Sequence, residues 1–590
     1  MLRYLVNKLL FTEAHMDYKD LIATNISKIT GLDKDKVYSL IEIPPQLDMG
    51  DYAFPCFTLA KELRKAPPMI AADIASDPSL TTGALTVKNV GPYVNFYVDR
   101  EVLAQEVITE IISAGDNYGA DDIGGGRNVI VEYSSPNIAK PFHVGHAFTT
   151  ILGNSIANIY TKLGYNVIRF NHLGDYGTQF GKLITAYRLW GDEAAMENDA
   201  ITELTRIYVK FHDEAKKDPS LEDTARDNFR KLEEGCEEEV ALWKRFRELS
   251  LAVFEKTYQR MGVKFDNYNG ESFYSSRIPA VVDLLRDKGL LTESEGAQVV
   301  MLEDEGLPPC IILKSDGTTI YASRDLAAAI YRHENYDFYK NIYVVGLPQQ
   351  LHFRQVFAVL KKAGFDFADD CVHVGFGLLK FKDGSAFSTR EGNIVLLDDL
   401  LNKTVEKTEE IIRKNAEERG DDMTEDEIKD IAEKVGIGAV MYTYLKSGRE
   451  KDILFDWDDM LDFEGDTAPY LIYTYARIKS ILRKAEGLGL SASSGESLKL
   501  LAGDEEYAVI RSLSDFKDSV RRAATSYEPF IVAKQVALIA RNFNRFYNNS
   551  SILNADNEDI KRARLALCVA VADTLKSGLG LLGINVVEKM

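Results

Sequence analysis

The stretch Val129-Ile130-Val131-Glu132-Tyr133-Ser134-Ser135-Pro136-Asn137-Ile138-Ala139-Lys140-Pro141-Phe142-His143-Val144-Gly145-His146 decides the fold. Val129 to Val131 reads as a short buried strand, and the two prolines keep the following loop out of helix. After His146, apolar residues at 148, 151, 152, 156, 159 and 163 recur with helical spacing, and Gly164 supplies a stop. Residues 165–170 read as the next strand. Strand, loop, helix and strand make a βαβ unit, which belongs to a parallel sheet covered by helices.

In such a sheet the loop after a strand's carboxyl end lines the ligand crevice, and the next helix points its N–H groups and positive dipole end there. His143 and His146, three apart, are expected on one face of the first turn, with Gly145 between them allowing close backbone approach. Imidazole N–H groups at that place suit nucleotide phosphates and the charge that develops during attack at phosphorus. No Walker or dinucleotide glycine fingerprint occurs in this turn, which argues against a P-loop or nicotinamide site.

The length of 590 residues suits about four domains. Apolar content of 45% and charged content of 27% are those of a soluble globular protein. Cysteines at 56, 236, 310, 371 and 568 form no Cys-x-x-Cys pair, so buried free thiols in a reducing cytosol are expected, not a disulfide framework or zinc ribbon. Residues 1–10 are interrupted by Arg3 and Lys8 and read as a helix, not a signal peptide. No run is apolar enough to span a membrane. A net charge of −21 argues against wholesale attraction to nucleic acid, leaving local basic patches for any such contact.

Working outward, residues 1–114 form a first α+β unit. Helices are expected at 18–29 and 58–64, an alternating stretch over 87–98 around Gly91-Pro92 that ends as a strand at 93–98, and a glycine-rich linker over 114–128. The second βα turn, residues 171–177, places His172 and Asp175 at the crevice, or else as caps of the following helix. Residues 192–260 are helical and densely charged, which reads as a solvated insertion. Strands are expected at 302–313 and 318–322 around Asp316-Gly317, with Ser323 capping the next helix. Further buried strands are expected at 341–345 and 371–376. The sum is a doubly wound, Rossmann-like parallel sheet. From residue 397 the pattern is helical to the end. There, residues 471–485 carry Arg477, Lys479, Arg483 and Lys484 without an acid, and residues 511–550 carry seven basic against three acidic groups, with Phe543, Phe546 and Tyr547 among them. Such mixtures suit single-stranded bases, and they equally describe ordinary helix faces.

His143-Val144-Gly145-His146 matches the HIGH signature of class I aminoacyl-tRNA synthetases. The stretches 134–141, 174–181 and 321–327, with Gly346, Gln349, His352 and Phe353, resemble the arginyl members in particular. The resemblance spans nearly the whole chain. It implies ATP-dependent formation of arginyl-adenylate and transfer of the arginyl group to tRNA(Arg). It also implies that Asp325, Glu132 and the Tyr321 hydroxyl hold the substrate guanidinium, and that Asn137 and Gln349 hold the amino-acid head group. ATP is expected against His143, Gly145, His146, His172, Asp175 and Ser388. Two carboxylates suit a planar, permanently charged guanidinium. The family's KMSKS loop corresponds to residues 385–392, where Arg390 is the one cation, and Lys140 stands ready to replace the missing lysine. Magnesium is expected to arrive with the nucleotide, not at a dedicated protein site. The implied layout is a tRNA-contacting domain over 1–114, a catalytic domain over 115–396, a connecting segment over 397–450 and an all-α anticodon-binding domain over 451–590. A cytoplasmic monomer is expected by analogy. The motif alone also admits a nucleotidyltransferase or a non-catalytic tRNA-binding paralogue.

Overall fold

A computed structural model describes residues 17–44, 46–381, 395–420 and 423–590. The helix expected at 1–10 lies outside them. The chain folds into two compact units. One comprises Met1–Tyr118, Ile478–Phe516 and Leu538–Leu575; the other comprises Gly119–Arg477, Lys517–Ala537 and Lys576–Met590.

In the first unit a hairpin of Leu85–Val90 and Tyr93–Val98, turning at Gly91, pairs antiparallel with Tyr52–Pro55. Asp99 caps the Arg100–Ala114 helix by accepting from the Glu101 and Val102 amides. Pro67 opens the Pro67–Ala75 helix at its first position, where a missing N–H costs nothing. Arg511, almost wholly buried, meets Asp51 at 3.5 Å and Asp515 at 2.5 Å, and the Tyr507 hydroxyl also donates to Asp51. Arg511 therefore belongs to this unit's interior, and so do Phe543 and Phe546, both fully buried. Arg545 pairs with Glu505 at 3.0 Å. The 511–550 stretch is thus in large part an ordinary packed helix face.

The second unit is built on four parallel strands: β1 (Asn128–Glu132), β2 (Asn166–Phe170), β3 (Lys340–Val344) and β4 (Cys371–Val374), in spatial order β4-β3-β1-β2. The chain leaves β1 through helix α1 (Val144–Lys162) toward β2 and later returns on the opposite side of β1 as β3. The crevice at the carboxyl ends of β1 and β3 is therefore the switch point where a doubly wound sheet takes its ligand. Helix α1 crosses above it, tied to β3 by the Thr149 hydroxyl, which donates to the Val344 carbonyl at 2.6 Å. Gly153 lets α1 lie directly on the chain after β1, because a Cβ there would come within 2.2 Å of Tyr133 Cβ.

Several local expectations change. The 192–260 segment is helical throughout. Yet its last helix, α2 (Glu237–Arg260), buries Phe246, Ser250, Phe254 and Tyr258, so it is not simply a solvated insertion. The strand expected at 302–313 shrinks to Cys310–Leu313, after a 3-10 turn at Glu303–Glu305 and two prolines that offer no N–H. It completes an antiparallel sheet with Leu291–Ser294 and Ala297–Val300. The strand at 318–322 reduces to one bridge between Thr319 and Leu313. Helix α3 (Tyr321–Tyr336) is capped at Ile320, not at Ser323, whose buried hydroxyl donates to the Ile312 carbonyl. Helix α4 (Gln350–Lys362) follows β3. The helical run after 397 is broken by Ile453–Phe455, a strand parallel to Leu379–Phe381. The carboxyl tail packs at Ile584 against Gly438 and Ile472 of this unit.

Cys56, Cys310, Cys371 and Cys568 are buried free thiols and Cys236 is a partly exposed one. Among the described residues no helix is long and apolar enough to cross a membrane. Gly153→Ala is expected to destabilise the protein by about 1–3 kcal/mol or more, because backbone and a Cβ would have to move apart. The denaturant midpoint checks this, with Gly235→Ala, which faces open space but has a positive φ, as a milder comparison.

Candidate functional site

His143 is the N-cap of α1, and His146 lies three residues in. The His143 Nδ1 accepts from the Gly145 amide at 3.1 Å, and the His146 Nδ1 accepts from the His143 amide at 3.3 Å. The two imidazoles satisfy N–H groups that a helix start leaves open, in the manner of a capping box. With both Nδ1 atoms accepting, the proton of each neutral ring sits on Nε2, which becomes a donor. Burial, then His143 and Lys140 nearby, pushes His146 down to about 3, and burial also lowers His143. The pair thus offers two neutral N–H donors, with ring centroids 4.0 Å apart. Gly145 has a local reason as well: a Cβ there would sit 2.8 Å from His143 Cε1.

The loop between β1 and α1 is held in an unusual backbone path, with Ser134, Ser135 and Ala139 at φ of 69°, 47° and 61°. Non-glycine residues stay there only when their surroundings enforce it. Ser134 Oγ lies 2.7 Å from the Tyr258 hydroxyl and accepts from Thr150 Oγ1 at 2.9 Å. The Ser135 amide donates to Asn171 Oδ1 at 3.2 Å, and the Ala139 amide to Ser250 Oγ at 3.2 Å. Tyr258 and Ser250 come from α2, more than a hundred residues away in the chain.

Glu132 ends β1 with its carboxylate 2.5 Å from Nη2 of Arg332, a fully buried residue of α3. The guanidinium lies against the rings of Phe170, Tyr343 and Tyr274 at 4.7, 5.5 and 5.9 Å. Burial opposes its charge, but Glu132 together with Tyr274 and Tyr343 raises Arg332 well above its ordinary value. Glu132 is therefore not an unpaired acid awaiting a substrate cation, because the fold already provides one. Asp325, on α3, has Oδ2 2.5 Å from His352 Nε2. Tyr321 precedes Asp325 by one turn and is 65% exposed, while Asn137 and Gln349 are exposed at the loop ends after β1 and β3. Asn137 bridges Gly174 of the second βα turn, where a Cβ would lie 2.3 Å from Asn137 Oδ1. Sequence reasoning missed Arg332 and gave His352 no role. Nothing local announces either, since each is known by a partner far along the chain.

Asp175 is neither at the crevice nor a cap of the helix that follows it. It is fully buried, 3.1 Å from Arg247 Nε, and accepts from the Ser272 amide and hydroxyl, both at 2.9 Å. Fully buried and already accepting three hydrogen bonds, the carboxylate presents no surface to a nucleotide. His172 stacks on Tyr274 at 5.5 Å, and its Nδ1 is buried without a hydrogen-bond partner among the described residues. Nearby Glu271, raised by burial, pairs with Arg324 at 3.3 Å. Lys140 is exposed. Ser388 and Arg390 lie outside the described residues. Among those described, no group of three or more His, Cys, Asp or Glu side chains is placed to hold a metal ion.

A four-stranded parallel sheet with paired histidines at the helix start beyond its switch-point strand marks a class I tRNA synthetase. The family model "tRNA synthetases class I (R), catalytic domain" matches residues 107–457. "Arginyl tRNA synthetase N terminal domain" matches residues 16–98, and "DALR anticodon binding domain" matches 471–590. An arginine-tRNA ligase of Clostridium botulinum (strain Alaska E43 / Type E3) is 54% identical over 575 residues, covering 98% of this chain and 100% of the relative. One of Clostridium beijerinckii is similar to the same degree and extent. The arginyl-tRNA synthetase structures of Thermus thermophilus and Plasmodium falciparum are each 26% identical, with TM-scores of 0.82 and 0.80. They cover 98% and 97% of this chain, which in turn spans 100% and 98% of them. The chain belongs to the arginyl-tRNA synthetase family.

Two outcomes are expected. Asp175→Ala should cost about 1–3 kcal/mol of stability, as leaving the Ser272 amide and hydroxyl and the Arg247 guanidinium without their acceptor does, read from the urea midpoint. The sign for His146 follows from its lowered value: below the ordinary histidine pKa the unfolded chain takes up a proton that the folded one refuses. Stability is therefore lost as pH falls from about 6.5 toward 3. His146→Gln should flatten that slope in denaturant titrations at pH 7, 6 and 5.

Proposed function

We propose that the protein activates L-arginine with ATP, giving arginyl-adenylate and pyrophosphate, and then esterifies the terminal ribose of tRNA(Arg), releasing AMP. Family membership with full-length relatives named arginine-tRNA ligase supports this, and the single observation that carries the chemistry is the neutral imidazole pair at the start of α1.

The arginine carboxylate attacks the α-phosphorus, a P–O bond breaks, and pyrophosphate leaves with the electron pair. The Nε2–H groups of His143 and His146, together with the α1 dipole, stabilise the charge on phosphoryl oxygens as it builds. The amide of Gly145 already donates to His143, so Gly145 contributes closeness of approach. Lys140 and Arg390 are the cations assigned to the leaving pyrophosphate. Ser388 and His172 complete the nucleotide side; Asp175 is withdrawn from it. Magnesium accompanies the nucleotide.

Asp325 supplies net negative charge for the guanidinium, and the Tyr321 hydroxyl adds an acceptor. Glu132, neutralised by Arg332, contributes acceptor lone pairs, not a second net charge. Asn137 and Gln349 hold the head group. A pocket so matched rejects citrulline and lysine because its buried acceptors would be left without donors. Residues 1–114 contact the tRNA, 115–396 carry the chemistry, 397–450 connect, and 451–590 bind the anticodon. The protein works as a cytoplasmic monomer.

Exchange of labelled pyrophosphate into ATP tests this, run with each of the twenty amino acids and with or without tRNA. Arginine-only exchange is expected, and none with any amino acid would leave a non-catalytic tRNA binder. Asp325→Ala should raise KM for arginine by about two orders of magnitude, as loss of a charged contact worth about 3 kcal/mol does, with KM for ATP nearly unchanged. Equal losses for both substrates would mean that Asp325 does not face arginine.

A further inference from the structure

A bond links His352 to Asp325. It joins two segments that the function keeps apart. Asp325 stands on α3 at the guanidinium end of the proposed pocket, whereas His352 belongs to the first turn of α4, three residues after Gln349 at the head-group end. Their side chains meet at 2.5 Å. Both are partly buried, with side-chain exposures of 25% for His352 and 21% for Asp325. The start of α4 is itself fixed. Phe353 is buried and stacks on His373 with centroids 4.9 Å apart and planes at 10°. His373 Nε2 lies 2.8 Å from the Val345 carbonyl, to which it must be the donor. Loop 345–349 and the first turn of α4 are thus one braced piece, and His352 carries that bracing to Asp325.

From this we infer that His352 is a positioning residue for arginine selection. It occupies one oxygen of Asp325, turns the other toward the substrate, and sets the distance between the carboxylate that reads the guanidinium and the loop that reads the head group. The inference rests on the proposed arginine site. The interaction persists when substrate binds, because a carboxylate has lone pairs enough for an imidazole N–H and a guanidinium together. Holding the acceptor at a fixed distance from the head-group loop also penalises a side chain longer by one methylene, a difference that pocket shape alone separates only modestly.

The experiment uses the full-length enzyme with tRNA and compares His352→Ala, His352→Gln and His352→Phe. Steady-state aminoacylation is read with arginine and with homoarginine. His352→Ala is expected to raise KM for arginine about tenfold, with KM for ATP within about twofold, and to narrow the preference for arginine over homoarginine at least about threefold. His352→Gln, which keeps a side-chain N–H, should restore most of both. His352→Phe keeps ring volume without the donor; it should behave as alanine and replaces it if the alanine variant does not fold. Rescue by phenylalanine but not glutamine would reduce His352 to packing and overturn the inference. An unchanged or lowered KM for arginine in the alanine variant would do the same, the lowered value meaning that substrate evicts His352. If the unmodified enzyme shows no arginine-dependent exchange, the proposed function fails instead; normal exchange with unaffected variants sinks this inference alone.

Discussion

A guanidinium sealed away from water is tolerated only where a carboxylate meets it, and Arg332 is such a group, fully buried and 2.5 Å from Glu132. The pair fixes α3 against the end of β1, and so fixes where the other residues of that helix face fall. Tyr321, Asp325 and Arg332 are spaced four and seven apart, which stacks them along one side of α3. Their exposure falls from 65% at Tyr321 to 0% at Arg332, with the Asp325 side chain between them at 21%. One helix face thus runs from the mouth of the site to its floor. The buried ion pair at the bottom holds the register of Asp325, the acid proposed to read the substrate above it. Three aromatic rings around Arg332 keep water out, which makes the geometry unforgiving as well as the charge.

The same economy of charge appears at the other end of the cleft. Two histidines beside a triphosphate invite the idea of imidazolium cations, yet burial lowers both, and the nearness of His143 and Lys140 lowers His146 further. Their Nδ1 atoms are used up by backbone amides, so what remains is a pair of directed, uncharged donors. In the proposed reaction such donors need no deprotonation to release product, and they would stabilise phosphoryl charge without binding the resting triphosphate as tightly as cations. The positive charge proposed for pyrophosphate is assigned instead to Lys140 and Arg390.

How far the sequence could be read follows from the range of each interaction. The βαβ unit, the histidine pair and the parallel sheet were legible because their signals are local: apolar periodicity, two prolines, a glycine stop. The Ser323 cap failed because Ile320 already starts the helix, leaving the hydroxyl to bond the Ile312 carbonyl. Asp175 was misread for a different reason. Its place after β2 is a βα turn, as the sequence pattern says, but a turn residue can point into the protein, and Arg247 and Ser272 claim its oxygens. Neither partner is visible in a window around residue 175. The basic stretches toward the carboxyl end stay open between bases and helix faces for the same reason, since counting charge says nothing about the acids, such as Asp51 and Glu505, that pair with Arg511 and Arg545.

Helix α2 shows what that limit hides. By composition it is a charged, dispensable-looking excursion, and its outer face does carry ion pairs of the surface kind, which contribute little each. Its inner face brings Tyr258 and Ser250 to the loop between β1 and α1, where three non-glycine residues hold left-handed backbone angles. Strain of that kind, about 1–3 kcal/mol per residue, persists only when neighbouring hydrogen bonds outweigh it. The Tyr258 hydroxyl is shared between Ser134 and Asn171, the latter at the end of β2. One phenol therefore couples the loops after both strands that flank α1, and the excursion between β2 and β3 becomes the buttress that lets Asn137 and the histidines stand where the chemistry requires them.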